Sequence, residues 1–178
     1  MSLQFNVSQL LKADVGQRRT YEFELDEPLD LDDAVATGVS GSVKFTLTNF
    51  GILSTVKAHA DVHLTCARCL EPFRTPMDVA FQEEFRPVID VATGLPANLP
   101  ESDTAFQISP NHTVDLREAI RQQLLLAIEI IPVCSDDCRG LCPTCGTNLN
   151  TASCDCEPPL ANNAFAVLSG LLTDDDGQ

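Results

Sequence analysis

Six of the eight cysteines fall between Cys134 and Cys156, in the run CSDDCRGLCPTCGTNLNTASCDC. Thiolates bind zinc and iron, and Cys142-Pro143-Thr144-Cys145 has the two-residue gap that lets both sulfurs of one tight turn face a single ion. Cys66-Ala67-Arg68-Cys69 repeats that gap, Cys134 and Cys138 form a looser pair, and Cys154-Asp155-Cys156 completes eight sulfurs, enough for two tetrahedral four-sulfur sites. We read them as ligands of two structural ions, zinc ahead of iron–sulfur clusters. A loop closed by Cys142, Cys145, Cys154 and Cys156 costs little chain entropy, which leaves Cys66 and Cys69 to join Cys134 and Cys138 across the fold. An interleaved partition stays open.

An even cysteine count also permits a disulfide framework. Disulfides persist in oxidising compartments, however, and the opening MSLQFNVSQLLKADVGQRR has no continuous apolar segment of signal-peptide length, so we expect a reduced, cytoplasmic chain. Eight cysteines closing two sites leave a metal no open position for a substrate, and the sequence has no phosphate-cradling glycine loop, nucleophile elbow or helical two-histidine motif. The expectation is therefore a chain that is not an enzyme and takes no small-molecule substrate. A zinc-dependent or thiol-redox enzyme or sensor is the alternative.

The elements that must position these cysteines are legible as alternation. Tyr21, Phe23 and Leu25 alternate with Glu22 and Glu24, and Val43, Phe45 and Leu47 with Lys44 and Thr46. Asn49-Phe50-Gly51 reads as a hairpin turn. The returning strand places Ile52, Val56, Ala58, Ala60, Val62, Leu64 and Cys66 on one parity and delivers Cys66 and Cys69 to its end. His59 and His63 share the other face but stand about 13 Å apart, too far to chelate one ion. Val79, Phe81 and Phe85 mark a further strand, and Leu3, Phe5 and Val7 an opening one, with Ser8 as cap of a short helical turn through Leu11.

Residues 1–86 thus read as a mainly antiparallel sheet, and 87–113, with four prolines and no Lys or Arg, as a mobile acidic insertion. Residues 114–178 hold a helix, the zinc module and a C-terminal helix, forming one globular unit with the sheet. Asp115 and Glu118 make a cap-like pair ahead of Leu116, Ala119, Ile120, Leu124, Ala127, Ile128 and Ile131, which predicts a long helix stopped by Pro132. Leu125, Leu126 and Ile130 widen its apolar stripe, and we expect them buried. Asn163 followed by Phe165, Val167, Leu168, Leu171 and Leu172 predicts the short C-terminal helix. The fold class is α+β: a curved antiparallel sheet packed by the long helix, with the cysteine module attached.

The net charge is −15, from 11 basic and 26 acidic residues, and a four-thiolate site around a divalent ion adds two negative charges more. Such a surface repels nucleic acid as a whole. Only from Lys44 to Arg86 are the signs balanced, so Lys44, Lys57, Arg68, Arg74 and Arg86 are the candidates for any RNA contact. No apolar run is long enough to span a membrane.

Cys66-Ala-Arg-Cys69-Leu-Glu-Pro-Phe73, Ile131-Pro-Val-Cys134, the run Cys138-Arg-Gly-Leu-Cys-Pro-Thr-Cys-Gly-Thr-Asn-Leu-Asn150 and Phe165-Ala-Val-Leu168 resemble, in this order, the YceD family. That family is bacterial and plastid and is associated with accumulation of large-subunit ribosomal RNA. The likeness runs from about Val43 onward and departs at Asn162-Asn163-Ala164, where many relatives read Asp-Pro-Arg. It implies a cytoplasmic, non-catalytic accessory factor in ribosome biogenesis. Its partner would be a ribosome assembly intermediate, met through a basic ribosomal protein or the large-subunit RNA, and the charge favours the protein.

Overall fold

The computed structural model describes residues 3–91, 93–97 and 105–156. In chain order the elements are β1 (Gln4–Asn6), α1 (Ser8–Leu11), β2 (Arg18–Leu25), β3 (Leu29–Asp30), β4 (Val35–Leu47), β5 (Ile52–Thr65), β6 (Pro72–Pro87), β7 (Phe106–Ile108), β8 (Thr113–Asp115) and α2 (Arg117–Ala127). The strands β2-β4-β5-β6-β7 form one sheet in that order, with β3 also on β4, while β1 and β8 pair as a separate ribbon.

The hairpin β4–β5 is where sequence pattern and packing agree most directly. Val43, Phe45, Ile52, Val56, Ala60 and Val62 are all fully buried on one face, and the Thr48 hydroxyl accepts the Phe50 and Gly51 N–H groups in the turn. Ser54 shares that buried face and donates its hydroxyl to the Glu83 carbonyl, which satisfies it. The ribbon closes over one end of the core through Phe5, whose ring packs against Tyr21 and Phe45 at centroid distances of 5.4 and 5.6 Å. α1 does end at Leu11, but Ser8 does not cap it. Val7 holds the cap position, and the Asn6 side chain accepts both the Ser8 N–H and its hydroxyl.

Strand β6 begins at Pro72, well before Val79. From Pro72 to Glu84 it is paired only with β5 among the described residues, and an edge of this kind is where a strand tolerates a proline such as Pro76. Its last three residues pair with β7 in parallel, so the sheet is not wholly antiparallel, and part of the stretch 87–113 that read as insertion is strand.

The long helix is corrected. α2 has 11 residues, about 16 Å, and Ile128 is already extended at φ −67, ψ 129, four residues before Pro132. Its inner stripe packs on the sheet as the periodicity requires: Leu116, Ile120 and Leu124 are fully buried, each large side chain worth about 2 kcal/mol of transfer free energy. The wider stripe is a second correction. Leu125 is half-buried; Leu126, still within α2 but turned away from the buried Ile120 and Leu124, is 78% exposed, and Ile130 is 99% exposed because the chain has left the helix before it and no longer holds helical phase. The Asp115 carboxylate accepts the Arg117 N–H, but Glu118 turns forward to Arg121 and Gln122 and forms no capping box.

No described helix is long and apolar enough to cross a membrane. The expected C-terminal helix and Asn162-Asn163-Ala164 lie outside the described residues.

Candidate metal centres

The first centre is built where β5 ends. Leu70 N–H bonds back to the Cys66 carbonyl and Cys66 N–H to the Glu71 carbonyl, closing the Cys66–Cys69 turn before β6 starts. Leu70 adopts the left-handed conformation at φ +59 to complete it. The chain leaving α2 is tied alongside by a bond from Ala67 N–H to the Pro132 carbonyl, which brings Cys134 and Cys138 to the same point. The four sulfurs of Cys66, Cys69, Cys134 and Cys138 lie within 4.8 Å of one another, with Cys66 to Cys138 at 3.7 Å and Cys69 to Cys134 at 3.8 Å. A tetrahedral ion with metal–sulfur bonds of about 2.3 Å requires sulfur edges of about 3.8 Å. These two edges match it and the remaining pairs lie within 4.8 Å, so the donor set fits such an ion. Cys66, Cys69 and Cys138 are buried and Cys134 is exposed.

The second centre is local. Cys142 N–H bonds to the Thr147 carbonyl and Gly146 N–H to the Cys142 carbonyl, so Leu141 and Asn148 bridge across a tight turn that points Cys142 and Cys145 the same way. Cys154 and Cys156 complete a tetrad whose sulfurs are again within 4.8 Å of one another. Cys145 is exposed and Cys154 and Cys156 are half-buried.

Three residues that spacing did not single out join the centres. The Asn150 side chain donates to the Cys138 sulfur at 3.4 Å and accepts the Arg139 N–H at 2.8 Å. The Arg68 guanidinium donates to the carbonyls of Asp136 and Cys138, both at 3.1 Å. Gly140 sits at φ +70, and a Cβ there would come 3.0 Å from the Arg68 carbonyl, so this crossing between the centres requires glycine. The run Cys138-Arg-Gly-Leu and the pair Asn148-Leu-Asn150 carried that signal, legible only once the turn geometry is known.

Electrostatics show why each tetrad calls for a cation. Burial raises Cys66, but the N–H groups of Cys69, Cys134 and Arg68 outweigh it and lower the thiol to about 6. The Asn150 amide lowers Cys138. Against them Cys134 is pushed up to about 12, chiefly by Cys138 beside it. Cys69 is also raised: the Glu71 N–H pulls it down, but burial and its neighbours Cys66 and Cys138 prevail. In the second tetrad the Thr147 hydroxyl and N–H lower Cys145 to about 6, and the N–H groups of Cys145 and Thr144 lower Cys142. Cys145 in turn pushes Cys156 up to about 12, and Cys154 is raised because Cys142 and burial prevail over the Cys156 N–H. Each cluster holds two thiolates readily and resists the third and fourth, which a divalent ion would stabilise.

The five basic candidates do not converge. Lys44 and Lys57 are exposed on β4 and β5, Arg68 is committed to the first centre, Arg74 pairs with Asp61 at 3.6 Å and Arg86 with Glu84 at 3.1 Å. Arg74 and Arg86 stand twelve positions apart on β6, about 40 Å. Neither histidine of β5 joins a centre: His59 pairs with Asp78 at 2.9 Å, and His63 with the Thr37 hydroxyl at 3.0 Å.

Comparison with known proteins places the chain in a family. The model of the family described as "Large ribosomal RNA subunit accumulation protein YceD" matches residues 54–172. A protein of Mycobacterium tuberculosis named only as uncharacterized is 37% identical over 99 residues, 56% of this chain and 45% of that protein. The chloroplastic large ribosomal RNA subunit accumulation protein YCED homolog 1 of Zea mays is 48% identical over 46 residues, 25% of this chain and 16% of its own. Its Arabidopsis thaliana counterpart is 34% identical over 58 residues, 33% and 18% respectively. The chain thus spans less than half the length of these curated relatives. No solved structure matches it.

Proposed function

The chain belongs to the YceD family, and from that membership together with the two tetrads we propose that it is a non-catalytic accessory factor in large-subunit ribosomal RNA synthesis, processing or stability. It works by binding in the cytoplasm, with one zinc ion in each tetrad. The observation that supports the binding reading is that each tetrad gathers four sulfurs within 4.8 Å of one another: four thiolates on one ion would leave no position for a substrate or an activated water. Bound zinc would supply cross-linking and charge compensation. The chain's own residues do the rest: Asn150 and Arg68 hold Cys138 and its loop, and the turn residues aim the sulfurs.

The partner is a cationic protein of the assembling large subunit. A net charge of −15 attracts lysine-rich surfaces and repels phosphates over a Debye length of about 8 Å at physiological salt, and the dispersed cations of β4 to β6 offer no continuous track for RNA. Depletion in cells tests the reading: large-subunit RNA should fall before small-subunit RNA. Equal loss of both, or no loss, would contradict it.

A further inference from the structure

The face of the sheet opposite the core carries a furrow that the metal centres do not use. Two rows of paired residues cross it. Glu22 lies opposite Ser42, and Ser42 opposite Lys57; Glu24 lies opposite Ser40, Ser40 opposite His59, and His59 opposite Asp78. Period-two alternation puts all of these on the solvent side, since Phe23 and Ala58 between them, and Val43 and Val56 beside them, are buried. On that face β4 contributes only the small side chains of Ser40 and Ser42 at the middle, so the floor is low and the longer side chains of β2 and β5 rise on either side.

Gly41 lies on the core parity, opposite Phe23 and Ala58, and draws β4 close to β5 beneath the furrow. A Cβ there would lie 2.0 Å from the Lys57 carbonyl oxygen, so glycine alone permits this approach of β4 to β5, next to the register slip between Thr37 and Ser40. The result is a concavity of about 1020 Å³.

Its charges are arranged for an extended cation. Glu22 and Glu24 are exposed and form no ion pair among the described residues, and with Asp78 they set three carboxylates against the single ammonium of Lys57. Two positions along a strand separate them by about 6.7 Å, the spacing of alternate side chains on any extended chain laid alongside. We propose that this furrow binds an extended peptide segment of a cationic protein, running along β4 with lysine or arginine side chains at alternate positions over Glu22 and Glu24. Lys57 and the β4 hydroxyls face the segment's carbonyl groups. This rests on the reading that the partner is a cationic protein, and it assigns the contact to one surface.

The test uses the full, metal-loaded chain and a fluorescent eight-residue peptide alternating lysine and serine, with binding followed by anisotropy at low and high salt. Four variants, checked for unchanged metal content, divide the outcomes. The double reversal Glu22→Lys/Glu24→Lys should weaken binding about tenfold or more, because two attractive contacts become repulsive. Lys57→Glu should strengthen it several-fold. Ser42→Trp should abolish it without changing charge, by filling the trough. Neutralising Asp174, Asp175 and Asp176 to asparagine should leave it within about twofold.

Binding that survives both Ser42→Trp and the double reversal, or that only Asp174, Asp175 and Asp176 control, would overturn the proposal. So would a single-stranded RNA oligonucleotide displacing the peptide from the furrow. If the furrow binds as stated but depletion leaves large-subunit RNA unchanged, the furrow stands and the functional reading fails. If depletion has its effect and the furrow variants bind normally, the inference fails alone.

Discussion

The two cysteine tetrads have the same donors and opposite places in the fold. The first joins residues 72 positions apart, Cys66 and Cys138, buries three of its four sulfurs and ties the β5–β6 turn to the chain leaving α2. The second gathers Cys142 to Cys156, a short segment that closes on itself at the surface. Closing a loop of 72 positions restrains the unfolded chain more than closing one of 14, by about 1.5 kcal/mol. Identical chemistry therefore yields a rivet through the fold in one case and a local knuckle in the other. The main core, from Leu3 to Leu124, is contiguous without either.

The sharpest way to break this comparison is to remove each tetrad in turn. Cys66→Ser/Cys69→Ser should release one ion and lower the unfolding free energy by more than about 4 kcal/mol in a denaturant titration, since it also frees residues 132–140 from the sheet. Cys154→Ser/Cys156→Ser should release one ion and leave the sheet's unfolding within about 1 kcal/mol of the parent. Equal costs would show that the centres are equivalent. Loss of both ions from the second variant would show that the partition is wrong.

Acid should strip both. Cys69 and Cys134 are raised in the first tetrad, as are Cys154 and Cys156 in the second, so at pH 7 each ion must displace at least these two protons. Protons compete for the ligands, so affinity falls as pH falls, by roughly 100-fold per pH unit for two protons. Calorimetry in buffers of different ionisation enthalpy counts the protons released.

Smaller effects separate the centres further. Asn150→Ala removes the donor to the Cys138 sulfur and should weaken the first site's ion roughly 10-fold to 100-fold while barely touching the second, in a competition with a chromophoric chelator. Arg68→Ala should cost about 1 to 2 kcal/mol in thermal unfolding, through the lost bonds to Asp136 and Cys138.

What a reader of the bare sequence can see divides along similar lines. The β4–β5 hairpin is legible because period-two alternation and a Gly-containing turn act within a few residues; gap lengths pair the cysteines but leave their partition open, and the fold decides it by bringing Cys66 and Cys69 beside Cys134 and Cys138. The end of α2 is not. Ile128 to Ile131 have helical apolar spacing, but the tie between Ala67 and Pro132 and the position of Cys134 demand an extended chain there, so a long-range constraint overrides local periodicity. The pairing of β7 with β6 is hidden for the same reason. Asn150 was missed because a hydrogen bond to sulfur leaves no periodic trace.

The proposed binding role rests on both centres being closed four-sulfur shells. X-ray absorption at the metal edge, with elemental analysis of the same purified chain, tests it most directly. The account predicts two zinc ions per chain, each with four sulfurs at about 2.3 Å and no lighter ligand. An oxygen or nitrogen ligand at either ion, or eight oxidised sulfurs with no metal, would contradict it.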